Sequence, residues 1–175
     1  MYSVHDRARA LKVIMFDVDG VLTDGKLYLA DSGEEIKAFN TLDGHGLKML
    51  HASGVELAII TGRKSRLVDM RAANLGIQSV FQGVDNKLAA FREVLDQLGL
   101  QPEQAAFMGD DLVDLPPMRH AGLAVAVPAA PALVREHAHY VTQRSGGDGA
   151  VRELCELVME AQGTLAAMVA PYLES

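Results

Sequence analysis

The sequence contains a single cysteine, Cys155, so the chain cannot form an internal disulfide. This excludes the class of small secreted domains held together by disulfides, and we expect the Cys155 thiol to pack inside a helix interface. Basic residues are also few, because 16 lysines and arginines stand against 23 acidic residues, for a net charge of −7. A nucleic-acid partner is therefore not expected, since phosphate backbones are held by basic surfaces. A small phosphorylated ligand, which needs only a few local cations, is compatible with this charge.

Long apolar runs are lacking as well. No stretch of the sequence approaches the ~20 apolar residues of a membrane-spanning helix. The apolar run directly before Asp17 is only four residues long, residues 13–16, which is too short for the core of a signal peptide. We therefore expect a cytoplasmic protein with no membrane partner. The length of 175 residues and the hydrophobic share of 49% fit one globular domain, residues 1–175, with a proper core.

Short apolar stretches alternate with helical patterns along the chain. The predicted strands span residues 13–16, 55–60, 80–81, 105–108, 123–127 and 140–142. The predicted helices span residues 44–53, 65–75, 87–98, a short segment that begins near Pro116 and Pro117, 132–137 and 150–168. This alternation predicts an α/β fold, a Rossmann-like three-layer αβα sandwich with a mostly parallel sheet and right-handed crossovers. Residues 146–149, which are rich in glycine, are predicted to form a mobile loop.

A β-hairpin is predicted directly after the first strand. Apolar and polar residues alternate over residues 25–29 and again over residues 35–39, around a turn at residues 31–33. Because an isolated hairpin is marginally stable in water, we expect its apolar side chains to pack on a subunit partner. Those side chains are Leu27, Leu29, Ile36 and Phe39.

Polar side chains follow the apolar strands at four places along the chain. They are Asp17 with Asp19, Thr61-Gly62-Arg63, Asn86-Lys87, and Asp110-Asp111. Taken singly, each group has an ordinary explanation as a loop cap, a turn or a helix cap. In open α/β sheets, however, ligands bind at the carboxyl ends of the strands, and all four groups lie where such a site would collect them. Their occurrence together, in this order, favours one shared site.

The residue types in this set suit phosphoryl chemistry. Carboxylates without histidine or cysteine partners favour Mg²⁺ over zinc. A lysine, a threonine hydroxyl and backbone N–H groups can bind phosphate oxygens. A carboxylate nucleophile would form an aspartyl phosphate, and a second carboxyl two residues on would protonate the leaving alkoxide and then take a proton from water. We therefore expect a phosphate monoester to be hydrolysed in two steps.

The four groups resemble the motifs of the haloacid dehalogenase superfamily. The matching motifs are Asp17-Val-Asp19-Gly20-Val-Leu-Thr23, Thr61-Gly62-Arg63, Lys87 and Gly109-Asp110-Asp111-x-x-Asp114. The resemblance implies that Asp17 is the nucleophile and Asp19 the general acid/base. It also implies that Mg²⁺ is bound by the Asp17 and Asp110 side chains and by the backbone carbonyl of Asp19. Phosphate would be held by Thr61, Gly62 and Lys87. Asp111 and Asp114 would contact the metal- and phosphate-binding residues rather than the substrate itself.

A narrower resemblance is to the capless 3-deoxy-D-manno-octulosonate 8-phosphate (KDO 8-phosphate) phosphatases of this superfamily. It rests on Glu34-Glu35-Ile-Lys37-Ala-Phe39-Asn40, Asp43-Gly44-x-Gly46, and residues 61–65 and 146–153. The resemblance implies hydrolysis of KDO 8-phosphate to KDO and phosphate, in lipopolysaccharide precursor synthesis. It further implies a homotetramer whose hairpins form a central barrel, with a neighbouring subunit closing each active site. The implied substrate-binding residues are Asn40, Thr41, Leu42, Asp43, Gly44, Lys48, Arg63 and Arg71.

Three positions depart from the pattern expected of that family. Leu42 and Lys48 stand where arginines are expected, and Asp148 stands in the glycine loop where a basic residue is usual. Because lysine does not reproduce the bidentate contact of arginine with a carboxylate, the sugar acid is left open. One alternative substrate is a nine-carbon sialic-type sugar acid 9-phosphate. Further alternatives are a phosphotransferase or broad-range phosphatase, and a non-catalytic regulatory domain.

Overall fold

The computed structural model describes residues 2–173. Its strands are β1 (Val13–Phe16), β2 (Tyr28–Leu29), β3 (Glu35–Ile36), β4 (Glu56–Thr61), β5 (Ser79–Gln82), β6 (Ala105–Gly109), β7 (Leu123–Ala126) and β8 (Tyr140–Val141). Its α-helices are α1 (Val4–Arg9), α2 (Thr41–Ala52), α3 (Arg66–Leu75), α4 (Lys87–Leu98), α5 (Leu115–His120), α6 (Ala132–Glu136), α7 (Ala150–Ala161) and α8 (Leu165–Leu173). Short 3-10 helices span Pro102–Gln104 and Leu112–Asp114.

The sheet topology confirms the predicted α/β fold class. The strand order is β5-β4-β1-β6-β7-β8, every pairing in this sheet is parallel, and β2 and β3 form a separate antiparallel hairpin. The chain moves from β1 through β4 to β5 in one direction and from β5 through β6 to β8 in the other. Right-handed crossovers therefore put α2 and α3 on one face of the sheet and α4 to α6 on the opposite face. In agreement, α2 packs against α7 and α4 packs against α5, which gives the three layers.

Strand β1 lies at the centre of the sheet and at the centre of the core. Its four residues, Val13 to Phe16, are fully buried, because helices cover both faces of the sheet. Phe16 pairs with Ile59 of β4 on one side and with Met108 of β6 on the other. The backbone N–H of Asp17 donates a 3.0 Å hydrogen bond to the Met108 carbonyl, so the pairing continues one residue beyond the strand. The sheet thereby fixes Asp17 at its carboxyl edge.

Two predicted helices differ from the structure by more than one residue at an end. Helix α2 begins at Thr41 rather than at residue 44, because the Asn40 side chain accepts hydrogen bonds from the backbone N–H groups of Leu42 and Asp43 and caps the helix there. The closing helix predicted over 150–168 is divided into α7 and α8, with Gly163 between them at a φ of +72°. The predicted caps of α4 are confirmed, since Asn86 accepts a hydrogen bond from Ala89 N–H and Gly99 ends the helix in the left-handed conformation.

The hairpin is confirmed, with strands of only two residues each. Tyr28 pairs with Ile36 and Leu29 with Glu35. The side chains of Leu27, Leu29 and Ile36 are 51%, 68% and 59% exposed, so the hairpin presents apolar surface to solvent. Within residues 2–173, none of the helices combines the length and the apolar character that crossing a membrane requires.

Candidate active site

A cavity of about 530 Å³ opens at the carboxyl ends of β1, β4 and β6. The predicted site residues that line the cavity at these strand ends are Asp17, Asp19, Thr61, Gly62, Arg63, Lys87, Asp110 and Asp111. Each reaches the cavity for a local reason: Asp17 and Asp110 directly follow β1 and β6, Thr61 is the last residue of β4, and Lys87 is the first residue of α4. The structure therefore brings together the four groups that the sequence predicts to share one site.

Lys87 joins two acids beneath the cavity. Its Nζ lies 2.6 Å from Asp114 Oδ1 and 3.0 Å from Asp17 Oδ1. The second oxygen of Asp114 accepts hydrogen bonds from the backbone N–H groups of Asp110 (2.9 Å) and Asp111 (3.1 Å). Burial alone would lower the pKa of Lys87, but the charges of Asp17 and Asp114 raise it above its ordinary value. The lysine is therefore held charged and in a fixed direction.

The acids of this cluster carry more negative charge than Lys87 can neutralise. Burial and the nearby charge of Asp114 raise the pKa of Asp17 to about 6, although Lys87 acts in the opposite direction. Burial and the charges of Asp17 and Asp114 raise the pKa of Asp110 to about 8. Asp17 Oδ1 is buried and its contact with Lys87 is an ion pair without hydrogen-bond geometry, so it accepts no hydrogen bond from the described residues. A cation bound beside these acids would therefore favour their ionised forms.

The donor set fits Mg²⁺. Carboxylate oxygens of Asp17, Asp110 and Asp114 lie within 4.8 Å of one another, with no histidine or cysteine among them, which is the hard-oxygen set that Mg²⁺ prefers. Both oxygens of Asp114 are already engaged by Lys87 and by backbone N–H groups. Asp17 and Asp110 are thus the side chains with oxygens available to a metal ion.

The backbone of Gly20 packs directly against the Asp110 carboxylate of this cluster. Gly20 has a φ of +91°, and a Cβ placed on it would come within 2.0 Å of Asp110 Oδ2. Residues 146–149, predicted to be mobile, instead pack on the same turn. A Cβ on Gly146 would come within 1.8 Å of the Gly20 carbonyl oxygen, and Gly147 N–H donates a 2.9 Å hydrogen bond to the Val21 carbonyl. These glycines allow two backbones to approach closely, so the loop packs against the Gly20 turn, and its mobility stays a prediction.

Asp19 belongs to a ring of four alternating charges. Its Oδ1 accepts a hydrogen bond from Lys37 Nζ, and its Oδ2 lies 3.7 Å from Arg63 Nε. Glu35 Oε1 closes the ring, 3.3 Å from Lys37 Nζ and 2.7 Å from Arg63 Nη2. Burial opposes ionisation of Glu35, but the two cations hold the pKa of its carboxyl below the usual value. Sequence reasoning assigned no role to Glu35 or Lys37; the available signal was the alternation over residues 35–39, which puts these two side chains on one side of the strand.

Several predicted substrate-binding residues lie away from this cavity within the protomer. Thr41, Gly44, Lys48 and Arg71 line a separate, smaller cavity of about 200 Å³ beside α2 and α3. There, Arg71 Nη2 donates a 3.0 Å hydrogen bond to the Asn40 carbonyl. Leu42 is 60% exposed and borders another cavity.

Asp43, another predicted substrate ligand, is buried at the start of α7. It accepts hydrogen bonds from the backbone N–H groups of Gly149 (3.4 Å) and Arg152 (2.8 Å), so it caps that helix. Burial raises the pKa of its carboxyl above the usual value. In the protomer, Asp43 therefore joins α2 to α7.

The fold and the site define a class of protein, a hydrolase with a Rossmann-like fold that carries an acid cluster, a buried lysine and a threonine at one sheet edge. Residues 27–122 match the family model of the haloacid dehalogenase-like hydrolases. The chain belongs to this family and, within it, to the family of the 3-deoxy-D-manno-octulosonate 8-phosphate phosphatases.

Three relatives support the assignment to the 3-deoxy-D-manno-octulosonate 8-phosphate phosphatase family. The 3-deoxy-D-manno-octulosonate 8-phosphate phosphatase KdsC of Escherichia coli K12 is 50% identical over 159 residues, which are 91% of this chain and 85% of that protein. A crystal structure of a probable YrbI family phosphatase from Pseudomonas syringae is 54% identical, with a TM-score of 0.97 and 98% of both chains covered. The Moraxella catarrhalis 3-deoxy-D-manno-octulosonate 8-phosphate phosphatase, solved with magnesium, phosphate and KDO, is 43% identical, with a TM-score of 0.95 and 97% of both chains covered.

Proposed function

We propose that this protein is a Mg²⁺-dependent phosphatase that hydrolyses KDO 8-phosphate to KDO and inorganic phosphate. The observation that carries the proposal is the cluster of buried Asp17, Lys87 and Asp114 with half-buried Asp110 at the sheet edge. The proposal is supported by 50% identity to an enzyme that bears this name and by a solved relative that holds magnesium, phosphate and KDO.

In the first step, the Asp17 carboxylate attacks the phosphorus atom. A bond forms between an Asp17 oxygen and phosphorus, and the bond between phosphorus and the sugar oxygen breaks. Asp19 gives a proton to the departing alkoxide, so the sugar leaves as a neutral alcohol. Lys87 stabilises negative charge on the phosphoryl oxygens, together with the Thr61 hydroxyl and the Gly62 N–H.

In the second step, a water molecule attacks the phosphorus atom of the aspartyl phosphate. Asp19, now a carboxylate, takes a proton from this water, and the bond between Asp17 and phosphorus breaks to release phosphate. Asp17 must be ionised to begin the cycle, although burial and Asp114 raise its pKa to about 6. When bound by Asp17, Asp110 and the Asp19 carbonyl, Mg²⁺ supplies positive charge that favours ionised acids and offsets charge on the phosphoryl group.

We propose that the active protein is a homotetramer in which a neighbouring subunit completes each site. Two observations support this. The apolar side chains of the hairpin are exposed, and the predicted substrate residues Thr41, Gly44, Lys48 and Arg71 line a cavity separate from that of Asp17. On this proposal, Arg63 binds the sugar acid from within the protomer and the Lys48–Arg71 cavity belongs to a neighbour's site. Asn40, Leu42 and Asp43 then shape the start of α2 that borders the substrate.

The setting of the reaction is also part of the proposal. KDO release belongs to lipopolysaccharide precursor synthesis, and we propose that the enzyme acts in the cytoplasm as one phosphatase domain over residues 1–175. The continuous buried apolar cluster that runs through the described part of the chain supports a single domain.

A substrate panel tests the proposed function. Phosphate release is measured with Mg²⁺ for KDO 8-phosphate, a nine-carbon sialic-type sugar acid 9-phosphate and p-nitrophenyl phosphate. We expect kcat/KM to be highest for KDO 8-phosphate. A higher kcat/KM for the nine-carbon sugar acid 9-phosphate would make that compound the substrate instead of KDO 8-phosphate. Equal values for all three compounds would indicate a broad-range phosphatase, and no phosphate release from any of them would indicate a non-catalytic domain.

A further inference from the structure

The side chain of Lys37 connects the hairpin to the active site. Lys37 directly follows β3, its side chain is only 3% exposed, and its Nζ donates a hydrogen bond to Asp19 Oδ1. Lysine is rarely buried without a paired charge, because removing an ammonium group from water is costly. Asp19 and Glu35 supply that pairing, so Lys37 is held firmly in this position.

The ion pair occupies one oxygen of Asp19 and leaves the other available. Oδ1 accepts a hydrogen bond from Lys37, whereas Oδ2 lies 3.7 Å from Arg63 Nε, which is beyond hydrogen-bond distance. Oδ2 accepts no hydrogen bond from the described residues. A carboxylate that is tethered through one oxygen keeps a fixed direction and retains the second oxygen for proton transfer.

We propose that Lys37 is a positioning residue for Asp19. By binding Oδ1, Lys37 holds the carboxylate so that Oδ2 moves the proton in both steps of the reaction. This inference rests on the proposed function, which gives Asp19 the acid/base role. The hairpin then serves the chemistry directly, because Lys37 follows β3 and the Glu35 side chain that restrains Lys37 lies in β3.

Replacing Lys37 should slow the reaction without weakening substrate binding. Lys37→Met keeps the length and burial of the side chain and removes its charge, so Asp19 loses its tether. Since misplacing a catalytic group by about 1 Å can cost about a hundredfold in rate, we expect kcat to fall tenfold to a hundredfold with KM changed less than threefold. Lys37→Arg should recover part of the loss. Lys26→Met, which removes an exposed lysine of the same hairpin, should keep kcat within about twofold.

Rapid mixing with p-nitrophenyl phosphate separates positioning from a general loss of structure. The nitrophenolate departs readily as an anion, so transfer of the phosphoryl group to Asp17 needs little acid catalysis, whereas hydrolysis of the aspartyl phosphate needs Asp19 as base. We expect Lys37→Met to release about one nitrophenolate per active site quickly and then turn over slowly. Lys37→Gln, which keeps a hydrogen-bond donor, should give the same burst with a smaller loss of kcat.

Three outcomes for Lys37→Met would overturn the inference. The first is a wild-type kcat, and the second is a burst that falls in proportion to the steady-state rate. The third is a fall in kcat/KM that comes from a raised KM alone. Asp19→Asn, run in parallel, separates this failure from that of the proposed function. If Asp19→Asn keeps wild-type activity, the acid/base role itself is wrong. If Asp19→Asn is slow while Lys37→Met is not, only the positioning role fails.

Discussion

Asp114 accepts a 2.6 Å hydrogen bond on its Oδ1 from Lys87 Nζ, and the two side chains are 0% and 4% exposed. The other oxygen of Asp114 accepts hydrogen bonds from the backbone N–H groups of Asp110 and Asp111. One buried carboxylate thus ties the lysine proposed to bind phosphate to the loop that carries a proposed metal ligand. Substitution of Asp114 should therefore disturb the position of both Lys87 and the proposed metal ligand Asp110.

Asp114→Ala should destabilise the protein and lower its activity. Removing one partner from a buried ion pair leaves the other charge poorly compensated, which typically costs about 3 kcal/mol of unfolding free energy. We expect a loss of this size in urea unfolding, together with at least a tenfold lower kcat/KM. Asp96→Ala, on an exposed position of α4, is the control and should leave both quantities nearly unchanged. Wild-type stability and kcat/KM in Asp114→Ala would contradict this account of Lys87.

Asp17→Asn should abolish turnover while the protein stays folded. The amide has nearly the same shape as the carboxylate but cannot act as the nucleophile, so we expect kcat to fall by about 10⁴-fold or more. Phosphate release is the measurement, and far-UV circular dichroism verifies the fold. Near-normal phosphatase activity in Asp17→Asn would refute an aspartyl-phosphate intermediate on this residue.

The position of the polar groups at one edge of the sheet was predictable from the sequence, because each group lies at the end of an apolar strand or at the start of a helix. Asp17, Thr61 and Asp110 therefore converge once the sheet is parallel. The role of Asp43 was not predictable in this way, because its cap on α7 depends on packing between elements far apart in the chain. The burial of Lys37 has the same origin, since the alternation over residues 35–39 gives the side of the strand but not the contact with Asp19, which lies 18 residues earlier in the chain.

Metal binding should depend on pH through the raised pKa values of Asp17 (about 6) and Asp110 (about 8). In the metal-free protein these acids keep their protons while the same groups in the unfolded chain, with a pKa near the ordinary 3.8, lose them. The unfolded chain then binds fewer protons, so the metal-free protein should lose stability as the pH rises from about 4 to about 8. Mg²⁺ binds the deprotonated acids and should offset this loss.

Thermal unfolding with Mg²⁺ or with EDTA checks this prediction. We expect Mg²⁺ to raise the unfolding temperature more at pH 8 than at pH 5, because protons compete with the metal at the lower pH. Asp17→Asn should reduce the effect of Mg²⁺ at pH 8. A Mg²⁺ effect of equal size at both pH values would contradict the assignment of these acids as ligands.

Leu29→Glu in the hairpin should disrupt assembly and, with it, activity. Leu29 is 68% exposed in the protomer, so a charge there should not affect folding, but it would be costly if the side chain is buried between subunits. Light scattering after size-exclusion chromatography should report a smaller species than the wild type, and kcat/KM for KDO 8-phosphate should fall. Leu98→Glu, an exposed leucine at the end of α4, is the matched control. An unchanged mass for Leu29→Glu would argue against an interface formed by the hairpin.

Gly20→Ala and Gly54→Ala form a matched pair that isolates the contact between Gly20 and Asp110. Both glycines have a positive φ, +91° and +99°, so alanine at either position costs about 1 to 2 kcal/mol of backbone strain. A Cβ on Gly54 meets no atom within 4 Å, whereas one on Gly20 comes within 2.0 Å of Asp110 Oδ2 and must displace that carboxylate. Both variants should therefore lose stability from the shared backbone strain, with any further loss in Gly20→Ala coming from the displaced carboxylate, while only Gly20→Ala should weaken Mg²⁺ binding, by about tenfold or more in a calorimetric titration. Equal Mg²⁺ affinity in the two variants would mean that Asp110 does not bind the metal from the position that the Gly20 backbone gives it.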